Sequence, residues 1–334
     1  MNTHDIAVNI VTYNRRELLM RCLNAVLAQT LPVRAIFLID NASTDDTPQA
    51  LQAAGFVDAL PQPADLPVCV SRSIPVPARP ECSVVFHYVR MPGNAGGAAG
   101  QQEGIRRAFE AGHARVWVMD DDGFPAPECL AVLHAVSEEG YGFSAPLVVD
   151  VDRPDHLSFS LCDHADGRII RRVDEATRRL YPDEANPFNG LLLTREAIER
   201  VGYPDPRMFI WGEEVEYLKR AQKTGIRIAT APAARFLHPA SKVTYRFGPF
   251  GKPAIFHASS LNMYCYYRNH AHIHLRYDGI SRLLRFVGLD FVKRLVLLDM
   301  KGLRLMTTAV IDALFGRWGR ERRYLPTNVK RRRS

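Results

Sequence analysis

The chain is 334 residues long, 47% hydrophobic and 24% charged, with 22 Gly, 22 Pro and 6 Cys. That is an ordinary globular composition with room for one large or two small domains, and it excludes a disordered, collagenous or disulfide-stapled chain. The formal net charge of +7 is uneven: Arg282 to Ser334 carries 14 Lys and Arg against 4 Asp and Glu, a net +10, which leaves −3 on the rest. A basic tail on a mildly acidic body seeks an anionic surface.

The opening residues, Met1 to Asp5, hold no basic stretch leading into an apolar one, so no secretory signal is expected. No run of about 18 uncharged apolar residues reads as a membrane span. The six cysteines lack metal-ligand spacing and suit the reduced thiols of a cytosolic protein, Cys69 and Cys82 being the pair that could bridge a loop.

Ile6–Thr12 is a Val- and Ile-rich run of strand length, and Arg15–Gln29 carries Leu18, Leu19, Cys22, Leu23, Val26 and Leu27 at helical spacing. Ala35–Ile39 predicts a second strand and Asp45–Ala54 a second helix. Residues 58–82, with Pro61, Pro63, Pro67, Pro75, Pro77 and Pro80, read as a surface loop or β-ribbon insertion. Val84–Val89, Gly97–Ala111 and Val116–Met119 predict strand, helix and strand. Past Pro146 the pattern is less regular: a strand at Asn189–Leu193, a helix from about Arg195, another at Glu213–Lys223, and a mostly helical, amphipathic stretch at Ile280–Trp318. Strands alternating with helices predict βαβ units and a parallel sheet covered on both faces, with ligands bound outside the carboxyl ends of the strands.

Polar clusters fall at those ends. Asp120-Asp121-Asp122 sets three carboxylates where a strand leaves the sheet. A divalent cation relieves their repulsion, and one can reach a ribose hydroxyl while another ligates the ion. A solvated acidic turn, helped by Gly123 and Pro125, is the plainer reading. Asp40 can accept the N3–H of a uracil or thymine ring, while Ser43, Thr44 or Asp45 caps the next helix. Asn94-Ala95-Gly96-Gly97 opens a helix whose free N–H groups suit an anion or polar head, but its spacing is not a dinucleotide fingerprint and a tight strand-to-helix connection explains it as well. Trp211-Gly212-Glu213-Glu214 places Glu213 and Glu214 in a first helical turn, as candidate general bases or as compensation of the helix dipole, the role read for Glu216 with its i+4 partner Arg220. His238, alone after a strand-like run, is by itself more often structural.

In their order these segments resemble glycosyltransferase family 2. The matching pieces are Val11-Thr12-Tyr13-Asn14-Arg15, Asp40-Asn41-Ala42-Ser43-Thr44-Asp45, Asn94-Ala95-Gly96-Gly97, Asp120-Asp121-Asp122, Asn189-Gly190, Trp211-Gly212-Glu213-Glu214 and His238-Pro239, over about residues 6–240. Tyr264–Asn269 is similar to a segment of the rhamnosyl- and galactofuranosyl-transferring branch, and Asp120-Asp121-Asp122-Gly123 followed by Pro125 looks closest to galactofuranosyltransferases. The resemblance implies a GT-A fold, an α/β Rossmann-like mixed sheet flanked by helices, with a mainly helical C-terminal extension. The expected division is a catalytic domain at 1–245, nucleotide-binding to about 122 and acceptor-binding from 123, then a segment at 246–334. The resemblance implies that Thr12, Tyr13, Asn14, Asp40, Asn94, Gly96, Gly97, Asp120 and Asp121 bind the nucleotide-sugar. It implies Asp120, Asp122 and His238 as ligands of Mn²⁺ or Mg²⁺, and Asn189, Gly190 and Trp211 as acceptor contacts. Glu214 or Glu213 would be the catalytic base, Glu214 standing where the family usually has Asp.

The expected activity is metal-dependent, inverting transfer from a UDP- or dTDP-sugar, galactofuranose or rhamnose favoured, to a hydroxyl of a lipid-linked or polysaccharide glycan. A diphosphate neutralised by a cation leaves without a protein acid, so one base suffices where a glycosidase needs two carboxylates. In residues 282–334, apolar side chains such as Leu284, Phe291 and Leu295 interleave with Arg285, Lys293 and Arg304, which suits an anionic leaflet and places the protein on the cytoplasmic face of the cell membrane. Packing on the catalytic domain or in a homo-oligomer is the alternative. No nucleic-acid-binding module is recognised. The rival functions are a sugar nucleotidyltransferase, which would need a Lys- and Arg-rich phosphate loop where Tyr13-Asn14-Arg15-Arg16 runs into a helix, and a non-catalytic membrane- or nucleic-acid-binding protein.

Overall fold

The structure is a computed structural model that describes residues 5–77, 79–240, 244–247, 253–256 and 259–325. The chain begins β1 (Ile6–Thr12), α1 (Arg16–Leu27), β2 (Ala35–Asp40), α2 (Thr47–Ala53), β3 (Val68–Val76), β4 (Arg79–Arg90), α3 (Gly96–Glu110) and β5 (Arg115–Asp120). It continues β6 (Phe124–Pro125), α4 (Cys129–Glu138), β7 (Phe143–Asp150), β8 (His156–Asp163), β9 (Arg168–Arg172), β10 (Tyr181–Pro182), β11 (Asn189–Thr194) and α5 (Arg195–Val201). The remaining elements are α6 (Glu213–Lys223), β12 (Ile228–His238), β13 (Thr244–Phe247), β14 (Pro253–Phe256), α7 (Ser260–Ile273), α8 (Ile280–Val296) and α9 (Met300–Leu314).

The main sheet runs β10-β12-β7-β11-β5-β1-β2-β4-β3, with β6 beside β12 and the β8–β9 pair beside β7. Strands β5, β1, β2 and β4 are parallel, β11 is antiparallel to both β5 and β7, and β12 is parallel to β7. This is the mixed α/β sheet the sequence led one to expect. Successive residues of β1 point to opposite faces, and both faces are covered. Ile6, Val8 and Ile10 join Leu19, Leu23 and Val26 of α1, while Ala7 and Val11 join Ile105 and Ala108 of α3. The glycines of α3 serve that second contact: a Cβ on Gly100 would stand 2.5 Å from Val11, and one on Gly104 only 1.7 Å from the Asn9 side chain.

The proline-rich insertion is a ribbon, β3 against β4, with β3 on the sheet edge, where prolines are tolerated. Its register sets Cys69 opposite Val89 and Pro75 opposite Ser83, so Cys69 and Cys82 sit at opposite ends of the ribbon and form no bridge.

The chain divides into two compact units, Met1–Pro204 with Tyr217–Ser241, and Asp205–Glu216 with Lys242–Ser334. The break therefore falls after 241, where 245 was expected, and the segment carrying Trp211, Glu213 and Glu214 belongs to the second unit. That unit has its own core, in which Tyr264, Tyr267 and Ala271 of α7 pack with Leu283 of α8 and Met306, Ala309 and Ala313 of α9. No helix among the described residues is long and apolar enough to cross a membrane.

Candidate active site

In the first unit the acidic triplet follows β5, and its three carboxylates go three ways. Asp121 is 2% exposed; it accepts the Thr12 hydroxyl at 2.6 Å and the Arg15 guanidinium at 3.0 Å. Asp122 accepts a second Arg15 bond at 2.6 Å and lies 3.2 Å from His238 Nε2, at the end of β12. Asp120 accepts an amide N–H of Gln101 at 2.9 Å. Gln101 in turn accepts the buried Asn9 amide at 2.7 Å, so a row Asn9–Gln101–Asp120 runs from the middle of β1 to the site.

The electrostatics follow from crowding three acids. Burial, reinforced by the neighbouring carboxylates, pushes Asp120 up to about 7; burial pushes Asp121 up to about 6 against the pull of Arg15 and Thr12. Burial also raises Asp122, but bonds to His238 and Arg15 outweigh it and its net shift is downward. Burial lowers His238, and the Asp122 carboxylate overcomes that, leaving it raised. The His238 ring is oriented by an Nδ1 contact of 2.6 Å with the Pro239 carbonyl, which leaves Nε2 directed at Asp122.

The other segments named from sequence collect at neighbouring strand ends. Asp40 is fully buried; its oxygens accept the Ser43 backbone N–H at 2.7 Å and the Tyr88 hydroxyl at 2.6 Å, with Arg90 at 3.5 Å. Asn14 is turned to the following loop, where it accepts the Thr44 N–H at 2.7 Å, and Tyr13 is half-buried beside it. An open cleft of about 380 Å³ is lined by Asn14, Arg15, Arg16, Asp45 and Asp46. Asn94 accepts the Gly96 N–H at 2.9 Å, and Gly96 has φ +86°, so this turn and the entry into α3 at Gly97 are built together. The Phe188 carbonyl accepts the Asp120 N–H, bringing Asn189 and Gly190 beside the triplet. Gly190 has φ +83°, and its carbonyl accepts the Trp117 indole N–H at 2.8 Å. A Cβ on Gly123 would stand 2.0 Å from the Phe236 ring, and one on Gly190 2.6 Å from it, so these two glycines are needed for packing.

The second unit holds the acidic loop. Trp211 has φ +65° and Gly212 φ +104°, a backbone that costs about 1–3 kcal/mol at a non-glycine residue and must be held from outside. It is held by α7. Asn269 Nδ2 donates to the carbonyls of Met208, Ile210 and Trp211 at 2.7–3.0 Å, and Arg268 Nη2 donates to those of Arg207 and Met208. Arg268 is itself fully buried and paired with Glu321. This gives the Tyr264–Asn269 segment a physical task that spacing alone did not reveal. Glu214 accepts the Gly212 N–H at 3.0 Å, and burial pushes it up despite bonds from the backbone and from Glu213. Glu216 is buried and accepts the Tyr277 hydroxyl at 2.6 Å, while Arg220 donates to the carbonyls of Val201 and Tyr203.

Gln101 and Tyr88 were not singled out from sequence, and Asn269 only as the end of a matching segment with no role. Gln101 carried a signal, lying one turn from Gly97 and three residues before Gly104 on the face of α3 that meets the sheet.

Among the described residues the one three-donor group within 4.8 Å is Cys162, His164 and Glu184, away from the triplet in sequence. Asp120, Asp122 and His238 do not form such a group, and Asp120 is hydrogen-bonded to Gln101. In the Cys162 group, His164 Nδ1 lies 3.8 Å from the thiol and its Nε2 lies 2.8 Å from Glu184.

Residues 7–62 match the profile of Glycosyl transferase family 2, and residues 79–260 that of Glycosyltransferase like family 2. The galactofuranosyltransferase GlfT1 of Mycolicibacterium smegmatis is 29% identical over 248 residues, 71% of this chain and 72% of that protein. GlfT1 of Mycobacterium tuberculosis is 30% identical over 245 residues, 71% of each chain. In fold, the crystal structure of S. aureus TarS residues 1–349 in complex with UDP matches with a TM-score of 0.50 at 13% identity, over 86% of this chain and 72% of that one.

Proposed function

The chain belongs to glycosyltransferase family 2, and from that membership we propose that it transfers galactofuranose from its UDP-sugar to a hydroxyl of a glycan, with inversion at the anomeric carbon. The choice of sugar is supported by the galactofuranosyltransferases at 29–30% identity. The observation that carries the chemistry is the Asp122–His238 contact of 3.2 Å beside two further carboxylates at the ends of parallel strands.

That donor set fits a hard divalent cation, Mn²⁺ or Mg²⁺: carboxylate oxygens together with an imidazole Nε2 whose ring is fixed from its other nitrogen. When bound, such an ion supplies neutralisation of the charge on a departing diphosphate. The protein does the rest. Arg15 adds a fixed positive charge at the same carboxylates. Asp120, steadied by Gln101, keeps an oxygen for a donor hydroxyl. Glu214 takes the proton of the acceptor hydroxyl, and its raised pKa brings it nearer the operating pH, where a base is most effective. The freed oxygen bonds to the anomeric carbon as the bond to the diphosphate breaks, a single displacement that inverts the centre.

The test is UDP release and acceptor glycosylation with UDP-galactofuranose and dTDP-rhamnose, with and without EDTA. Turnover of UDP-galactofuranose that EDTA abolishes and Mn²⁺ restores is the expected result. Turnover of dTDP-rhamnose alone would overturn the donor assignment, and turnover unaffected by EDTA would overturn the metal.

A further inference from the structure

Helix α8 is apolar on its outer side as well as its inner one, where Leu283, Phe286 and Val287 pack on the core of the second unit. A helix at the surface of a water-soluble unit turns its apolar stripe inward and its charges to solvent. In α8 the buried residues are Leu283, Asp290 and Arg294. Asp290 accepts the Tyr267 hydroxyl and the Lys293 ammonium, and Arg294 donates to Tyr267 at 2.9 Å and pairs with Asp299. The opposite side shows Leu284 at 65% exposure, Val292 at 54% and Leu295 at 48%, with Phe291 and Val296 flanking them, and the apolar surface runs on through Leu298 into α9. Of 16 exposed large apolar side chains among the described residues, 13 lie between Leu275 and Phe315, so the exposed apolar surface is concentrated in this stretch.

The charges around the patch have one sign. Each of the four carboxylates from Ile280 to Leu325 is paired: Asp290 with Lys293, Asp299 with Arg294, Asp312 with Arg320 and Glu321 with Arg268. Arg282, Arg285, Lys301, Arg304 and Arg322 remain exposed. A second copy laid on this face would bring like charges together, which disfavours self-association. An anionic bilayer offers both complements, acyl chains for the leucines and headgroups for the arginines and lysines. At 17 residues α8 is about 25 Å long, shorter than a span, and so would lie in the interface plane.

We infer that the outer face of α8, continued into α9, docks the protein on the surface of an anionic lipid bilayer. Docking itself does not rest on the transfer reaction and is read without donor or acceptor.

The test is co-sedimentation of the full chain with vesicles of phosphatidylcholine alone and of phosphatidylcholine with phosphatidylglycerol, alongside light scattering for oligomeric state. Binding to the anionic vesicles is expected, weakened at least tenfold on the neutral ones. Arg282→Glu with Arg285→Glu should weaken anionic binding about twentyfold or more, from about fivefold per basic residue removed. Phe291→Ser with Leu295→Ser, at exposed positions that leave the core intact, should abolish binding to both. UDP-galactofuranose hydrolysis should be unchanged in all variants. Equal binding to the two vesicle types, or none, would overturn the inference. So would a dimer that Phe291→Ser with Leu295→Ser dissociates, which would make a second copy the occupant.

Discussion

Glu214 is the residue on which the proposed chemistry turns. Its carboxylate accepts the Gly212 N–H, and burial holds it above the ordinary glutamate range. A base must be ionised to act, so activity should rise with pH through that raised pKa, the acid limb of kcat/KM standing above the usual value of about 4.3. Glu214→Gln keeps the shape and cannot take a proton; kcat should fall by about 10²- to 10⁴-fold and the acid limb should lose its Glu214 component, while UDP binding stays as it was. A limb that persists in Glu214→Gln, with Glu213→Gln removing it, would exchange the two roles. Asp121 lies in the same triplet as Asp122, yet it is 2% exposed and engaged by Thr12 and Arg15. Adjacent aspartates read alike in sequence, and their division of labour is set by which way each side chain leaves the strand.

At the scale of elements, two devices fix where the acidic groups stand. In the first unit, α3 lies close enough to β1 that Gln101 can reach from Asn9 to Asp120. That approach depends on Gly104. Gly104→Ala would set a methyl 1.7 Å from Asn9 Oδ1 and should destabilise the protein by about 1–3 kcal/mol. Thermal unfolding reads the loss, and adding Asn9→Ala should recover part of it by removing the clashing atoms. In the second unit, Asn269 and Arg268 hold the loop before α6 by its carbonyls. Asn269→Ala removes the donor from the Ile210 and Trp211 carbonyls, while Arg268 still serves Met208, at about 1–3 kcal/mol for each group left without a partner. It should lower kcat while leaving donor KM unchanged, since the loop carries Glu213 and Glu214 but not the Asp122–His238 pair. A lowered melting temperature with kcat intact would reduce the contact to plain packing.

The same elements explain what could be read beforehand. Strands β1, β2 and β5 are mostly apolar runs buried on both faces, β1 interrupted only by Asn9 before its last residue Thr12, and helices α1 and α3 carry one apolar stripe each, so periodicity located them. Strands β8 and β9 branch off β7 at the side of the sheet and mix buried with exposed positions irregularly, so no clean alternation marked them. Helix α7 buries Arg268 and Asn269 among its aromatics, which blurs an amphipathic pattern. Helix α8 was legible as a helix, but a wheel of apolar and basic residues cannot say which side faces the core.

Over the whole molecule, the acidic triplet and the acidic loop belong to different compact units, and His238 lies more than a hundred residues beyond Asp122. No physical rule of spacing joins such pieces; their order resembled a family, and the fold then brought Asp122 and His238 to 3.2 Å. On the proposed function, this pair equips the first unit to handle a nucleoside diphosphate with a divalent cation. The most direct measurement is calorimetric titration of UDP into the full chain with and without Mn²⁺, repeated for Asp122→Asn. Binding that requires Mn²⁺ and is lost in Asp122→Asn, with the melting temperature kept, is the predicted result. UDP affinity that is the same with Mn²⁺ and with EDTA, and the same in Asp122→Asn, would contradict it.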